Sequence, residues 1–206
     1  SNSENHLEIS QYVIPNSITR LLKIVRSQGI AVDEVDVAAH SAGGLLTRMY
    51  IQGSGYRYDI NRFISMNTPH SGSQFADFIL DPHSSGSNIN LLLKLTHKLM
   101  KTPNCPDCGI LEDLRVDGPF MDGSFNSQLN NLDKVPSHAI TSTSNYFSGF
   151  FLGGNSQFHK LESYKKVLLA IVGQLDFHRY SLLFRGEQTD NTVPIGSQKG
   201  GLIGNA

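Results

Sequence analysis

The sequence has no excess of either charge: 17 lysines and arginines stand against 18 aspartates and glutamates, a net charge of −1. No basic patch offers itself to nucleic acid, and no block of like charge marks an acidic or basic tail. Long apolar runs are missing too, and the longest falls far short of the ~20 residues a membrane-spanning helix needs. The opening residues, Ser1-Asn2-Ser3-Glu4-Asn5-His6, are polar and carry no cleavable signal pattern. Cysteine is scarce, with only Cys105 and Cys108, in Cys-Pro-Asp-Cys. A tetrahedral zinc site needs four ligands. There is no second C-x-x-C, and no spacing demands that His83 or His97 complete a site. A redox pair would sit at a strand-to-helix junction, whereas this one lies in a proline-rich loop. No metal and no cofactor are therefore expected. The pair is either a local disulfide or two free thiols, and a disulfide would place the protein outside the reducing cytosol, extracytoplasmic or secreted.

A chain of 206 residues without internal repeats buries one substantial core, so one domain over 1–206 is the default. Ile14, Ile18, Leu21, Leu22 and Val25 recur at helical spacing, framed by Pro15 and Gly29. Val35–Ala39 reads as a buried strand of parallel type, Gly43–Gln52 as a helix stopped by Gly53, and Ile60–Met66 as the next strand. Alternation of strand and helix is the pattern of a parallel sheet covered by helices.

From Gln74 to about Pro136 the pattern changes. Asn88–Lys101 carries Leu91, Leu92, Leu95 and Leu99 on one helical face. Weaker helices are expected over Gly109–Arg115 and Ser124–Leu132. Val135–Thr143 reads as a returning strand, Leu161–Gly173 as a helix and Ser181–Phe184 as a strand. Thr189–Pro194 is a loop at that strand's end.

The chemistry is concentrated at Val35-Asp36-Val37-Ala38-Ala39-His40-Ser41-Ala42-Gly43-Gly44. A β-branched run breaks into small residues around one serine, and a helical pattern follows. Strand, sharp turn and helix with a serine at the apex form a nucleophile elbow. The serine takes a strained backbone, and strand and helix pass close together there. Ala39 and Gly43 leave that room, and Gly44 lets the helix lie close. The N–H of Ala42, at the helix start, faces a developing oxyanion. Ala39 stands where a strict G-x-S-x-G has glycine, an addition of one methyl.

His40-Ser41-Ala42-Gly43-Gly44-Leu45-Leu46-Thr47-Arg48 resembles the elbow of α/β-hydrolase lipases and esterases. Ile64-Ser65-Met66-Asn67-Thr68-Pro69-His70-Ser71-Gly72-Ser73 resembles the next strand of those enzymes and its T-P-H-x-G-S loop. The second segment narrows the likeness to the triacylglycerol-lipase-like branch, which also holds GPI-inositol-deacylase-like proteins. The resemblance implies an α/β-hydrolase fold: a mostly parallel sheet with helices on both faces and a helical cap inserted over 74–136. Leu91–Leu99 then belongs either to that cap or to ordinary core.

A serine hydroxyl needs a histidine base and an acid to orient it, in the chain order Ser, Asp or Glu, His. Gln188-Thr189-Asp190-Asn191-Thr192-Val193-Pro194 resembles the family's D-G-x-V-P acid loop, with Asn191 for its glycine, and Ile195-Gly196-Ser197-Gln198 continues it. Asp190 is the candidate acid and Asp176 the runner-up. No histidine follows Asp190. His178 breaks the order, and His159 lies in a polar stretch. By resemblance His40 packs beneath the sheet, and His70 shapes the substrate side of the site. The base is therefore expected beyond residue 206. The family's early strands, with the second oxyanion donor, are likewise expected outside this chain, leaving a sheet edge open to self-association.

Three functions follow as expectations. The first is a serine hydrolase cleaving carboxylic esters, acyl lipids above all, through an acyl-enzyme on Ser41, with transient contact at a lipid interface. The second is an acyltransferase or GPI-deacylase-type enzyme on the same residues. The third is an inert hydrolase-fold fragment or binding module.

Overall fold

The computed structural model describes residues 6–80, 109–116, 118, 120–121, 134–143, 187–190 and 192–200. Cys105, Cys108, Asp176, Asn191, His83, His97, His159 and His178 lie outside them. So do the helices expected over Asn88–Lys101, Ser124–Leu132 and Leu161–Gly173, and the strand over Ser181–Phe184.

Helix α1 spans Val13–Ser27. Pro15 is its third residue, where the missing N–H has no helical acceptor to lose. Ile18 and Leu22 are buried, with Ile14 packed beside them. The chain then leaves through Gly29 at φ 80°, a left-handed conformation that glycine adopts without a Cβ clash. Strand β1 (Val35–His40) leads into α2 (Ala42–Gln52) and then β2 (Ile60–Met66). Strand β3 covers Ser137–Ile140, shorter than the Val135–Thr143 reading. The order is β1-β2-β3 with both pairings parallel. The register sets Val37 against Phe63 and Ser137, and Ala39 against Ser65 and Ala139.

Side chains alternate across a strand, so Val37, Ala39, Phe63 and Ala139 share one face. That face meets Ile18 and Leu22 of α1 and Tyr50 and Ile51 of α2 in the main core. Burial of Phe63 alone is worth about 1.5–3 kcal/mol. The opposite face of β1 is not buried. Asp36, Ala38 and His40 are exposed, which corrects the expectation of a strand buried on both sides and of His40 packed beneath the sheet. Among the described residues, α1 and α2 pack on the one face only.

A partly buried polar knot ties α1 and α2 to the residues that lead into β2. The Tyr50 hydroxyl donates to Asp59 Oδ1 at 2.7 Å, and Arg57 Nε donates to the Tyr50 oxygen at 3.0 Å. Arg57 also ion-pairs with Asp59 at 2.8 Å and donates to Pro15 O and Thr19 Oγ1 at 2.9 Å.

Two short helices were not both foreseen. Helix α3 (Gln74–Leu80) had no reading of its own, and α4 (Gly109–Asp113) ends before the expected Arg115. Arg115 joins them by bonding Asp77 at 3.2 Å. Leu7, Leu45 and Met121 form a second core with Ala42, Ile110 and Leu114 packed against it. Asp113, itself buried, accepts from the Leu7 N–H at 2.5 Å and pairs with His6 at 2.8 Å. The final element, α5 (Ile195–Lys199), follows the Asp190 loop.

Candidate active site

Ser41 joins β1 to α2 at φ 53°, ψ −129°. An L-residue takes such a backbone only where its surroundings impose it. Here they do: the Ser41 N–H donates to Met66 O at 3.0 Å, and its carbonyl accepts from Gly44 N at 3.0 Å. The hydroxyl caps nothing in the helix. Ala42 and Gly43 begin α2, and the first-turn amides of a helix have no acceptor within it. Those N–H groups therefore remain available to a negative oxygen beside Ser41.

Close approach operates at one glycine rather than two. A Cβ on Gly43 would meet the Ala39 Cβ at 3.7 Å, ordinary contact, so the strand does not demand glycine there. A Cβ on Gly44 would lie 2.0 Å from Thr68 Oγ1. The neighbour that requires Gly44 is thus the loop after β2, not β1.

That loop, Thr68 to Ser73, is polar and buried at every residue but Ser71. His70 is fully buried, its Nε2 3.0 Å from Ser65 Oγ. Burial first, then the charge of Arg48, pulls its pKa down to about 3, so the ring is neutral at ordinary pH. Gly200, at φ 54°, lies against the ring, where a Cβ would approach within 2.4 Å. His70 is thus part of the buried frame of this loop. Arg48 is buried as well, which lowers its pKa to about 10.

Asp190 sits in a turn closed by the Thr189–Pro194 bridge. Its Oδ1 accepts from Thr192 N at 3.0 Å, Thr192 Oγ1 at 2.8 Å and Val193 N at 2.8 Å. Such a turn holds the carboxylate by one oxygen and leaves the other for a second partner. The turn is fastened to the loop after β2: Ser73 Oγ donates to Thr192 O, Ser71 N to Ser197 Oγ at 3.0 Å, and Ser197 Oγ to Gly72 O at 2.6 Å.

Ser41, the Thr68–Ser73 loop and the Asp190 turn therefore share the carboxyl edge of the sheet, the edge where open parallel sheets bind ligands. Among the described residues no hydrogen bond joins Ser41 to Asp190, and none joins Ser41 to His6, His40, His70 or His138. Sequence reading missed Asn67, whose φ of 46° lies one residue beyond β2. It also missed the roles of Ser73 and Gln198. The only signal for Gln198 was its place in the stretch that continues the acid loop. Among the described residues no cluster of three or more His, Cys, Asp or Glu could hold a metal ion, and no helix is long and apolar enough to cross a membrane.

A parallel sheet with a strained serine between strand and helix at its carboxyl edge has the α/β-hydrolase fold. No family model matches the chain, and no curated protein matches it. Among solved structures it is similar to the mature form of the Bacillus licheniformis lipase BlEst2. The TM-score is 0.50 at 19% identity, covering 94% of this chain and 62% of that one. It is also similar to the propeptide form of that lipase, with a TM-score of 0.44 at 18% identity, covering 88% of this chain and 31% of that one. The chain thus spans under two thirds of the lipase's length. At this identity the likeness to the mature form supports the fold.

Proposed function

We propose that the protein is a serine hydrolase of the lipase and esterase kind, of the triacylglycerol-lipase-like branch, acting on carboxylic esters of acyl lipids. The observation that carries this is the strained backbone of Ser41, with the Ala42 and Gly43 N–H groups at the start of α2 beside it. Strain at an apex residue that fills no cap and packs no core is kept for chemistry.

Ser41 Oγ attacks the acyl carbonyl as a histidine takes its proton. The Ala42 N–H holds the oxyanion in the tetrahedral intermediate. Asp190, by its carboxylate oxygen outside the turn, orients the histidine and stabilises its charged form. The histidine returns the proton to the departing alcohol, leaving an acyl group on Ser41. Water, activated by the same base, releases the acid and regenerates the serine. The base is assigned to a histidine outside the described residues. His70, buried within the Thr68–Ser73 loop, shapes the site through Ser65 and Gly200.

Residues 74–136 are assigned to a cap over this edge, which carries the transient lipid-interface contact. Among the described residues no strand pairs with the outer edge of β1, and that edge is assigned to self-association by strand pairing. Transfer of the acyl group to an alcohol instead of water uses the same residues, so an acyltransferase or GPI-deacylase-type activity differs only in its acceptor.

The test is hydrolysis of p-nitrophenyl esters of graded chain length by the intact protein. Activity lost in Ser41→Ala supports the reading. Equal activity in both proteins refutes it, and no activity in either favours an inert hydrolase-fold fragment or binding module.

A further inference from the structure

Gln198 is fully buried, and its amide is engaged on both sides. Oε1 accepts from the Ser142 N–H at 2.9 Å, while Nε2 donates to Ser142 O at 3.1 Å and to Val193 O at 2.8 Å. The side chain thus pairs with both backbone groups of Ser142, as a residue of a neighbouring strand would.

What stands at each end gives this pairing its meaning. Ser142 lies two residues beyond β3, and its hydroxyl oxygen accepts from Asn67 Nδ2 at 2.5 Å. The Asn67 N–H donates to Ile140 O at 3.0 Å. Asn67 follows Met66, whose carbonyl holds the Ser41 N–H. At the other end, Val193 is the residue whose N–H holds Asp190 Oδ1, and whose carbonyl also accepts from Asp190 N at 3.3 Å and Thr189 Oγ1 at 2.9 Å. A run of hydrogen bonds and adjoining residues therefore passes from Ser41 through Met66, Asn67, Ser142, Gln198 and Val193 to Asp190, across the carboxyl ends of β1, β2 and β3.

We infer that Gln198 is a positioning residue that fixes the Asp190 turn relative to the nucleophile by joining it to the end of β3. The serine contacts of the turn reach only the loop after β2. Gln198 is its tie to β3 and, through Asn67, to the residue beside the nucleophile strand. A five-residue helix such as α5 has too few internal bonds to set that position alone. The role in catalysis rests on the reading of Asp190 as the triad acid.

Two measurements test it in the intact protein. In Gln198→Ala, amide exchange of Thr192 and Val193 followed by NMR should speed at least tenfold, while the Ser41 amide keeps its protection. Unchanged exchange at Thr192 and Val193 overturns the inference. For turnover of a soluble p-nitrophenyl ester, Gln198→Ala should lower kcat ten- to a hundredfold with KM within twofold. The same change made in Asp190→Ala should alter kcat less than twofold, because a residue acting through Asp190 has nothing left to act on. Losses that multiply independently overturn the catalytic part. If the alanine cavity unfolds the chain, Gln198→Met fills the space without the hydrogen bonds and serves in both. Absence of Ser41-dependent turnover in the parent protein refutes the hydrolase reading instead, and the exchange experiment still decides whether Gln198 holds the turn.

Discussion

Thr68 occupies the space that a side chain at position 44 would need: a Cβ on Gly44 would lie 2.0 Å from Thr68 Oγ1 and 2.7 Å from its Cγ2. Thr68 is fully buried and has nowhere to retreat. Gly44→Ala should therefore destabilise the protein by about 1–3 kcal/mol, as overpacking does. Gly43→Ala should be neutral or slightly stabilising, because its methyl meets Ala39 at 3.7 Å and alanine favours helix over glycine. Urea unfolding of the two variants checks the contrast, and equal effects would contradict it.

Asp190 separates turn chemistry from triad chemistry. In Asp190→Asn the amide oxygen can still accept from Thr192 N, Thr192 Oγ1 and Val193 N, the three donors to Oδ1. Stability should stay within about 0.5 kcal/mol of the parent. Ester turnover should fall by roughly two to four orders of magnitude, because an amide neither holds the histidine tautomer nor stabilises the imidazolium. Parallel thermal melts and kcat values read the two effects separately. Undiminished turnover would leave Asp190 a turn residue only.

His70 makes stability depend on pH. Its folded pKa is held at about 3 by burial and by Arg48, against the 6.5 of an ordinary histidine. Between those values the unfolded chain binds the proton and the folded one does not. The contribution is thus complete above about pH 6.5 and is lost as pH falls toward 3. His6 runs the opposite way: its hydrogen bond to Asp113 raises its pKa, so its contribution is present below 6.5 and fades as pH rises. That side chain is solvent-exposed, which keeps its part small. The urea midpoint should fall between pH 7 and pH 5 in the parent and fall less in His70→Gln. An equal fall in both would remove His70 as the cause.

The sequence displayed the elements whose signals are local. Ile14, Ile18, Leu21, Leu22 and Val25 marked α1 by periodicity, although Leu21 is exposed, and Ile60–Met66 appeared as a strand over the very residues that form β2. The small residues around Ser41 marked the elbow before its φ of 53° was known. Contacts between distant segments left no such trace. Nothing near Gly44 tells that its neighbour is Thr68, and nothing near His70 tells that Gly200 closes over it. The exposed side of β1 escaped notice because Val35, Val37 and Ala39 look alike whether one face or two are covered. Gln198 showed only as the end of the stretch that continues the acid loop, since its partner Ser142 lies in a distant part of the chain.

The central claim is that Ser41 is a nucleophile. Its most direct test is reaction of the intact protein with a fluorophosphonate, followed by mass spectrometry of the labelled peptide. One adduct per chain on Ser41, absent from Ser41→Ala and strongly slowed in Asp190→Asn, is the result expected. No adduct, or an adduct on another residue with Ser41 unmodified, would contradict the account.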